Sequence, residues 1–302
     1  MTDYKHDLLF GTFPTPYADF PEVLRLARAA ERAGFDMVSI QDHPYNTEFF
    51  DTLTLIGQLV ARTEKIRFAG GVLNLPLRPP AVLAKSIATL DVISGGRIEL
   101  GLGAGGFWDA IVAYGGDRLT PGESLKALSE GIDIIRALWD VNDRSRVRIE
   151  GEHYHLVGAR RGPAPAHPVS IWVGGYKPRM LRLIGSKADG WWPSLGRTPL
   201  SEIPTMNDAI DSAAVAAGRD PKDVRRLANL TGQLQRSPTD YLLQGPPTQW
   251  VEHLTWLAIE HGFSAFILAG DDSTNYELIG NEIIPAVREA VAKVRGADAN
   301  SA

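Results

Sequence analysis

Gln41-Asp42-His43-Pro44 sets a carboxylate next to an imidazole. An acid and an imidazole together could handle protons near neutral pH. The same pair could do no more than serve a turn, with Asp42 capping it and His43 packing on the loop. Three glycine clusters follow. Gly70-Gly71-Val72-Leu73-Asn74 allows unusual backbone torsions and close ligand approach, or a β-bulge. Gly101-Leu-Gly103-Ala-Gly105-Gly106 formally matches G-x-G-x-x-G, but a dinucleotide site usually opens the first βαβ unit of a chain. A glycine floor beneath another planar ligand fits better. Gly174-Gly175-Tyr176-Lys177-Pro178 opens a helix, where free amides attract anions, and Lys177 and Arg179 add positive charge. An ordinary strand–helix turn is the plainer reading of that segment. Trp191 and Trp192 could wall an apolar pocket or fill a core.

These residues need elements to position them, and apolar runs alternate with amphipathic segments along the chain. The strand-like runs are Leu8–Phe13, Met37–Gln41, Ile66–Leu73, Ile98–Gly103, Val169–Val173, Gly190–Trp192, Arg226–Thr231 and Ala265–Leu268. Helical patterns separate them, the first announced by Asp19-Phe-Pro-Glu22, a capping-box spacing. The last pattern, Asn275 to Val294, contains Pro285, which should kink or split it. The polar stretch Asp140–Pro168 breaks the rhythm and is read as an excursion with a short hairpin around Val147–Leu156. The tail from Gly296 is expected to be disordered. Eight strands alternating with helices predict one (β/α)8 TIM barrel domain over residues 1–302, with the excursion between strands 4 and 5. A doubly wound sheet is the competing architecture. In a barrel, ligands sit where strands end, and each cluster above lies at such an end.

Composition narrows the function. The 302 residues are 44% hydrophobic and 22% charged, as in ordinary globular domains. The net charge of -5 argues against a nucleic-acid partner. There is no cysteine, so disulfides, thiolate chemistry and Cys-ligated metals are excluded and any redox chemistry needs a bound cofactor. No basic-then-apolar leader and no membrane-length apolar run is visible, which makes a cytoplasmic protein the expectation and a membrane partner not one. His153 and His155 would share a strand face, but no third ligand joins them, so no metal is expected. No G-x-S-x-G element marks a serine hydrolase.

Taken together, the strand ends resemble the bacterial luciferase-like monooxygenase superfamily over nearly the whole chain. The resemblance is carried by Glu31-Arg-Ala-Gly-Phe-Asp36, Asp42-His43, Arg78-Pro-Pro80, Ala88-Thr-Leu90, Ser94-Gly-Gly-Arg97, Leu100-Gly-Leu-Gly-Ala-Gly105, Gly174-Gly175 and Ala188-Asp-Gly-Trp191. It implies a (β/α)8 barrel binding reduced FMN or the deazaflavin coenzyme F420 at its C-terminal mouth. Asp42 and His43 would sit beside the ring, with His43 handling the proton. Gly71–Val72 would be a non-proline cis peptide against the ring, and Asn74 and Ala104, between Gly103 and Gly105, would contact it. Gly174 and Gly175, followed by Tyr176, would hold the cofactor phosphate.

Asp42-His43 is more similar to the deazaflavin branch than to the Glu-His-His element of luciferases proper. The resemblance therefore favours F420-dependent hydride transfer. The alternative is a two-component monooxygenase using reduced FMN, which activates dioxygen. Relatives that oxidise glucose 6-phosphate carry a glutamate after the strand-4 glycines, where Gly106 stands here, followed by Phe107 and Trp108. With Trp192, those two aromatics would shape a small, fairly apolar substrate pocket. The resemblance also implies a homodimer and a flavin or F420 reductase as partner. A non-catalytic cofactor carrier or sensor, and a metal-dependent barrel hydrolase, are the competing classes.

Overall fold

The computed structural model describes residues 2–299. Eight parallel strands form its centre: β1 (Leu9–Phe13), β2 (Met37–Ile40), β3 (Arg67–Gly70), β4 (Ile98–Gly103), β5 (Ile171–Val173), β6 (Gly190–Trp191), β7 (Arg225–Leu230) and β8 (Phe263–Ala269). They pair in the order β3-β2-β1-β8-β7-β6-β5-β4, and β3 also pairs with β4, so the sheet closes. The expected barrel is present. Its outer layer is α1 (Phe20–Arg32), α2 (Thr52–Val60), α3 (Pro80–Ser94), α4 (Pro121–Trp139), α5 (Pro178–Lys187), α6 (Ile203–Ala216), α7 (Pro247–His261) and α8 (Ile284–Ala299).

Strand residues alternate between two cores. Outward side chains such as Phe10, Val38, Phe68 and Leu100 pack against the helices. Inward ones, including Met37, Ala69, Trp172, Leu227 and Ile267, fill the barrel together with Trp192. The filling is tight at Gly11, where a Cβ would lie 2.5 Å from Met37 Cγ and 2.8 Å from Ile267 Cδ1. The interior is thus a plug, and the ligand space must lie above it.

Local sequence explains the helix ends. Asp19 caps α1 by accepting from Glu22 N at 3.2 Å, as its spacing predicts. Thr120 and Glu123 form a reciprocal capping box on α4, and Gly95 and Gly262 end α3 and α7 in the left-handed conformation.

Four expectations need correction. The third strand is not continuous from Ile66 to Leu73: it leaves the sheet at Gly71–Val72, a cis peptide, and Leu73–Asn74 rejoins it beside β4. The excursion's hairpin pairs Val147–Glu150 with His155–Ala159, so its second strand lies later than expected. His153 consequently stands in the turn and shares no strand face with His155, and no group of three or more metal-ligating side chains occurs among the described residues. The last helical region is interrupted ahead of Pro285, as expected, by a π-helical turn, Ile279–Ile283, but α8 then continues from Ile284 to Ala299 instead of fraying at Gly296. A π turn leaves carbonyls displaced from the position a proline ring would strike. The final part of the expected disordered tail, residues 300–302, lies outside the described residues.

Candidate active site at the barrel mouth

A cavity of about 730 Å³ opens at the C-terminal end of the barrel. Its walls include Asp42, His43, Gly71, Val72, Asn74, Gly103, Ala104, Gly105, Phe107, Gly174, Gly175, Tyr176 and Trp192. One space thus gathers the acid–imidazole pair, Val72, Asn74, Tyr176, Phe107, Trp192 and glycines from all three clusters, whereas Gly70, Gly101, Trp108 and Trp191 do not line it. The indole of Trp108 packs against the turn at Gly105, where a Cβ would approach it to 3.0 Å, and it is not among the lining residues.

The floor is built from glycines around one valine. Val72 stands between β4 and β5: a Cβ on Gly103 would lie 2.8 Å from Val72 Cγ2, and one on Gly174 3.8 Å from it. Below, the Trp192 ring fills the barrel top, 2.9 Å from the place of a Gly101 Cβ and 3.3 Å from that of Gly71. Its indole N–H donates to Asn229 Oδ1 at 2.9 Å. Trp192 therefore supports the floor from beneath as well as touching the cavity.

Asp42 does not have the freedom of a proton carrier. Its side chain is fully buried, and Arg78 grips it bidentately, Nε to Oδ2 at 2.8 Å and Nη2 to Oδ1 at 2.7 Å. Asn74 N donates to the same Oδ2 at 2.8 Å. Arg78 also donates to Asp51 Oδ2 at 2.6 Å, and Asp51 caps α2. Burial opposes the Arg78 guanidinium charge, but its two carboxylate partners raise its pKa overall. Asp51, although half-buried, is held below the usual carboxylate range by Arg78 and the Thr54 amide. The ion pair thus pins the end of β2 to the segment leaving Gly71–Val72. Both oxygens of Asp42 are thus engaged by Arg78 and the Asn74 backbone.

His43 is half-buried beside this pair. Burial pushes its pKa below the ordinary imidazole value, against the weaker pull of Asp42. At neutral pH the ring is uncharged. Its Nδ1 lies 2.8 Å from Tyr45 Oη, and its ring meets Phe107 edge-on at 5.4 Å. Phe107 is 57% exposed, so this aromatic wall is open at its outer edge.

The opposite wall suits an anion. Lys177 is the N-cap residue of α5 without a side-chain cap, which leaves first-turn amides free. Lys177, Arg179 and Arg197 line the cavity, and none of them has an ion-pair partner among the described residues. Gly175 has φ 154, and a Cβ there would lie 2.4 Å from Met180 Cγ, so only glycine lets the turn close. The hydroxyl of Tyr176 accepts from Ser194 N at 2.8 Å, bracing this turn to the loop after β6.

The site accommodates a ring with an anionic tail. Asn74 Oδ1 is buried without a protein partner, an acceptor left for a ligand N–H. Among the lining residues the only acid is Asp42, already neutralised by Arg78.

Sequence reasoning missed Tyr45 and Asn229. Asn229 lies in β7, and attention to the strand ends would have reached it there. Tyr45 sits in an irregular loop and had no signal beyond its nearness to His43. Arg78 was visible only as part of a motif, because its partner Asp42 is far away in sequence.

This geometry matches a known family. The family model for luciferase-like monooxygenases covers residues 8–243. The chain belongs to that family. Among curated relatives, an F420-dependent glucose-6-phosphate dehydrogenase of Nakamurella multipartita is 28% identical over 90% of this chain and 94% of its own. A 5,10-methylenetetrahydromethanopterin reductase of Archaeoglobus fulgidus is 29% identical, covering 93% and 77%. Among solved structures, an F420-dependent secondary alcohol dehydrogenase bound to an F420–acetone adduct superposes with a TM-score of 0.81, at 19% identity, over 93% of this chain and 99% of that one. That likeness speaks for the fold.

Proposed function

We propose that this protein uses coenzyme F420 to transfer a hydride to or from a small, fairly apolar organic substrate. It is an oxidoreductase of the luciferase-like family, and two of its relatives by sequence or structure are named for F420 dependence. The observation that carries the reading is the placement of His43. It is an uncharged imidazole facing the same cavity as the glycine floor and the cationic turn. A carrier that only bound a cofactor would gain nothing from such a group.

When bound, a deazaflavin supplies the hydride and does not activate dioxygen. The chain's own residues do the rest. The α5 amides with Lys177 and Arg179 bind the phosphate. Gly71, Val72, Gly103, Ala104 and Gly105 support the ring, and Asn74 Oδ1 accepts from it. Phe107 and Tyr45 form the aromatic wall on the substrate side, and His43 holds a proton at the substrate's reacting oxygen. Asp42 keeps this end of the site in register through Arg78. The open space at Gly106, with no heavy atom within 4 Å of a Cβ position, means an acid there would fit; its absence is chemical, and it disfavours a sugar phosphate.

The test is turnover: reduced F420 with a panel of small ketones, aldehydes and imines, and oxidised F420 with the matching alcohols and glucose 6-phosphate. Conversion of an apolar member supports the reading. Efficient conversion of the sugar phosphate alone sinks the substrate class. Oxygen-dependent product formation with reduced FMN would instead establish a two-component monooxygenase served by a flavin reductase, the reading that the family's description favours.

We further propose a cytoplasmic homodimer supplied by an F420 reductase. No helix among the described residues is long and apolar enough to cross a membrane. Val82, Val92 and Ile93 on α3 are exposed, Ile93 by 70%, and a second copy would cover them. Sedimentation of wild type and Ile93→Arg tests the dimer: it predicts a dimer weakened by the charge, and a wild-type monomer contradicts it.

A further inference from the structure

Six aromatic rings run in contact along one side of the cavity mouth. His43 meets Phe107 at 5.4 Å and an interplanar angle of 83°, and Tyr45 at 5.6 Å. Tyr45 lies 6.0 Å from Phe107 and 6.3 Å from Tyr114. Phe49 lies 6.5 Å from His43 and 5.5 Å from Tyr17. Three loops supply this collar: Tyr17 follows β1, the next three residues follow β2, and Phe107 and Tyr114 follow β4. Backbone hydrogen bonds stitch the first two loops together, Ala18 N to Glu48 O at 2.8 Å and Phe50 N to Pro16 O at 2.9 Å. Phe107 and Tyr114 flank the short helix Trp108–Ala113, which the fully buried Ile111 anchors. The rings are therefore held in place before any ligand arrives.

The collar is nevertheless uncovered. Tyr17, Phe107 and Tyr114 are 51%, 57% and 54% exposed. Single exposed aromatics are ordinary, but a contiguous set beside a cavity marks a binding surface. Ring faces attract cations. Here, however, Lys177, Arg179 and Arg197 line the same cavity without ion-pair partners among the described residues, and its one acid, Asp42, is neutralised by Arg78. A positively charged substrate is thus disfavoured. A polyol fares no better. Of the collar residues that line the cavity, only His43 and Tyr45 carry polar side-chain atoms, and those two face each other at 2.8 Å. A neutral aromatic ring fits both conditions. It can lie edge-to-face or offset against Phe107 and Tyr45, as the collar's own members do. Gly106 leaves room beside Phe107, with no heavy atom within 4 Å of a Cβ position.

We infer that the substrate carries an aromatic ring seated on Phe107 and Tyr45, with its reacting carbonyl or carbinol carbon beside His43. Phe107 is the specificity-determining residue. The chemistry rests on the hydride-transfer reading above; the seat for the ring does not. In the reducing direction the carbonyl carbon takes a hydride from the reduced deazaflavin, which is oxidised. The carbonyl oxygen takes a proton from solvent by way of His43, and an alcohol results.

The experiment uses a matched pair, phenylacetone and cyclohexylacetone. Both are methyl ketones with the carbonyl insulated from the ring, and only one ring is aromatic. The saturated ring is at least as apolar, so plain hydrophobic burial gives the phenyl compound no advantage. Affinities are measured by NMR titration of the full-length protein, with and without oxidised F420, which cannot reduce either ketone. Phenylacetone should bind about three- to tenfold more tightly, the usual worth of a specific ring contact. Phe107→Leu keeps apolar bulk and should remove most of that preference; Tyr114→Leu, one ring further out, should reduce it less. Equal affinities, tighter binding of cyclohexylacetone, binding of neither ketone in either state, or a preference that survives Phe107→Leu overturns the inference. With reduced F420, kcat/KM should favour phenylacetone by a similar factor, chiefly through KM. No turnover of either ketone, with the binding preference intact, sinks the hydride-transfer reading and leaves the aromatic seat standing. Turnover of both without preference does the reverse.

Discussion

A carboxylate next to an imidazole invites assignment as a proton relay, yet the structure gives Asp42 and His43 different surroundings. The Asp42 side chain is wholly buried, and Arg78, itself only 15% exposed, faces it. Removing one partner of such a pair leaves a charge buried without compensation. Arg78→Met should therefore lower stability by about 3–5 kcal/mol in urea unfolding, and Asp42→Leu with Arg78→Met should recover much of it. A loss below about 1 kcal/mol for the single variant would show the pair to be better solvated than its burial implies. His43→Ala is the opposite case: folding and F420 affinity should change little, while turnover falls about 100-fold or more. Unchanged turnover would remove His43 from the mechanism. The sequence displayed the Asp42-His43 pair openly, but it could not separate clamp from proton handler, because that depends on Arg78 folding back from beyond the next strand.

At the scale of elements, the strand periods and glycine clusters carried most of the barrel into view. The alternation of short apolar runs with capped helices is a local signal, legible without contacts. What escaped was local geometry decided by distant atoms. The paired glycines and the resemblance pointed to an irregular backbone at Gly71–Val72, but not to the contact that surrounds it; a Cβ on Gly71 would lie 2.0 Å from Ser39 Oγ of the neighbouring strand. Likewise Gly101 is read as part of a ligand loop, but its Cβ would lie 2.0 Å from Gly70 O, within the barrel wall. Backbone cannot yield as a flexible side chain can. Gly101→Ala should cost about 1–3 kcal/mol or prevent folding, whereas Gly106→Ala, in open space, should be nearly neutral. Equal melting temperatures for the two variants would contradict this packing of β3 against β4.

The whole molecule places ionic groups at the end of the barrel opposite the site. His167 Nδ1 lies 3.0 Å from both Asp91 oxygens, and its Nε2 3.3 Å from Glu99 Oε1. The Glu99 contact first, and then Asp91, raise the His167 pKa against burial. Folding stability from this group is present below the ordinary value of 6.5 and is lost as pH rises through the higher folded value. His6 works the other way: burial, and then Arg225 and Arg226, lower it to about 4. Its contribution is present above 6.5 and is lost as pH falls toward about 4. Urea midpoints measured across pH should then show His167→Asn flattening the alkaline limb and leaving the acid limb in place. An unchanged alkaline limb would mean that His167 titrates freely. None of this ionic base was visible in the sequence, because Asp91, Glu99 and His167 belong to three different segments.

The central claim is that the cavity above this plug is a deazaflavin site. Its most direct measurement is a fluorescence titration of the purified protein with coenzyme F420, FMN and reduced FMN side by side. The account predicts saturable binding of F420 and much weaker binding of either flavin. Tight binding of reduced FMN without F420 would contradict it and make the protein an oxygen-using monooxygenase, and binding of none of the three would contradict the site itself.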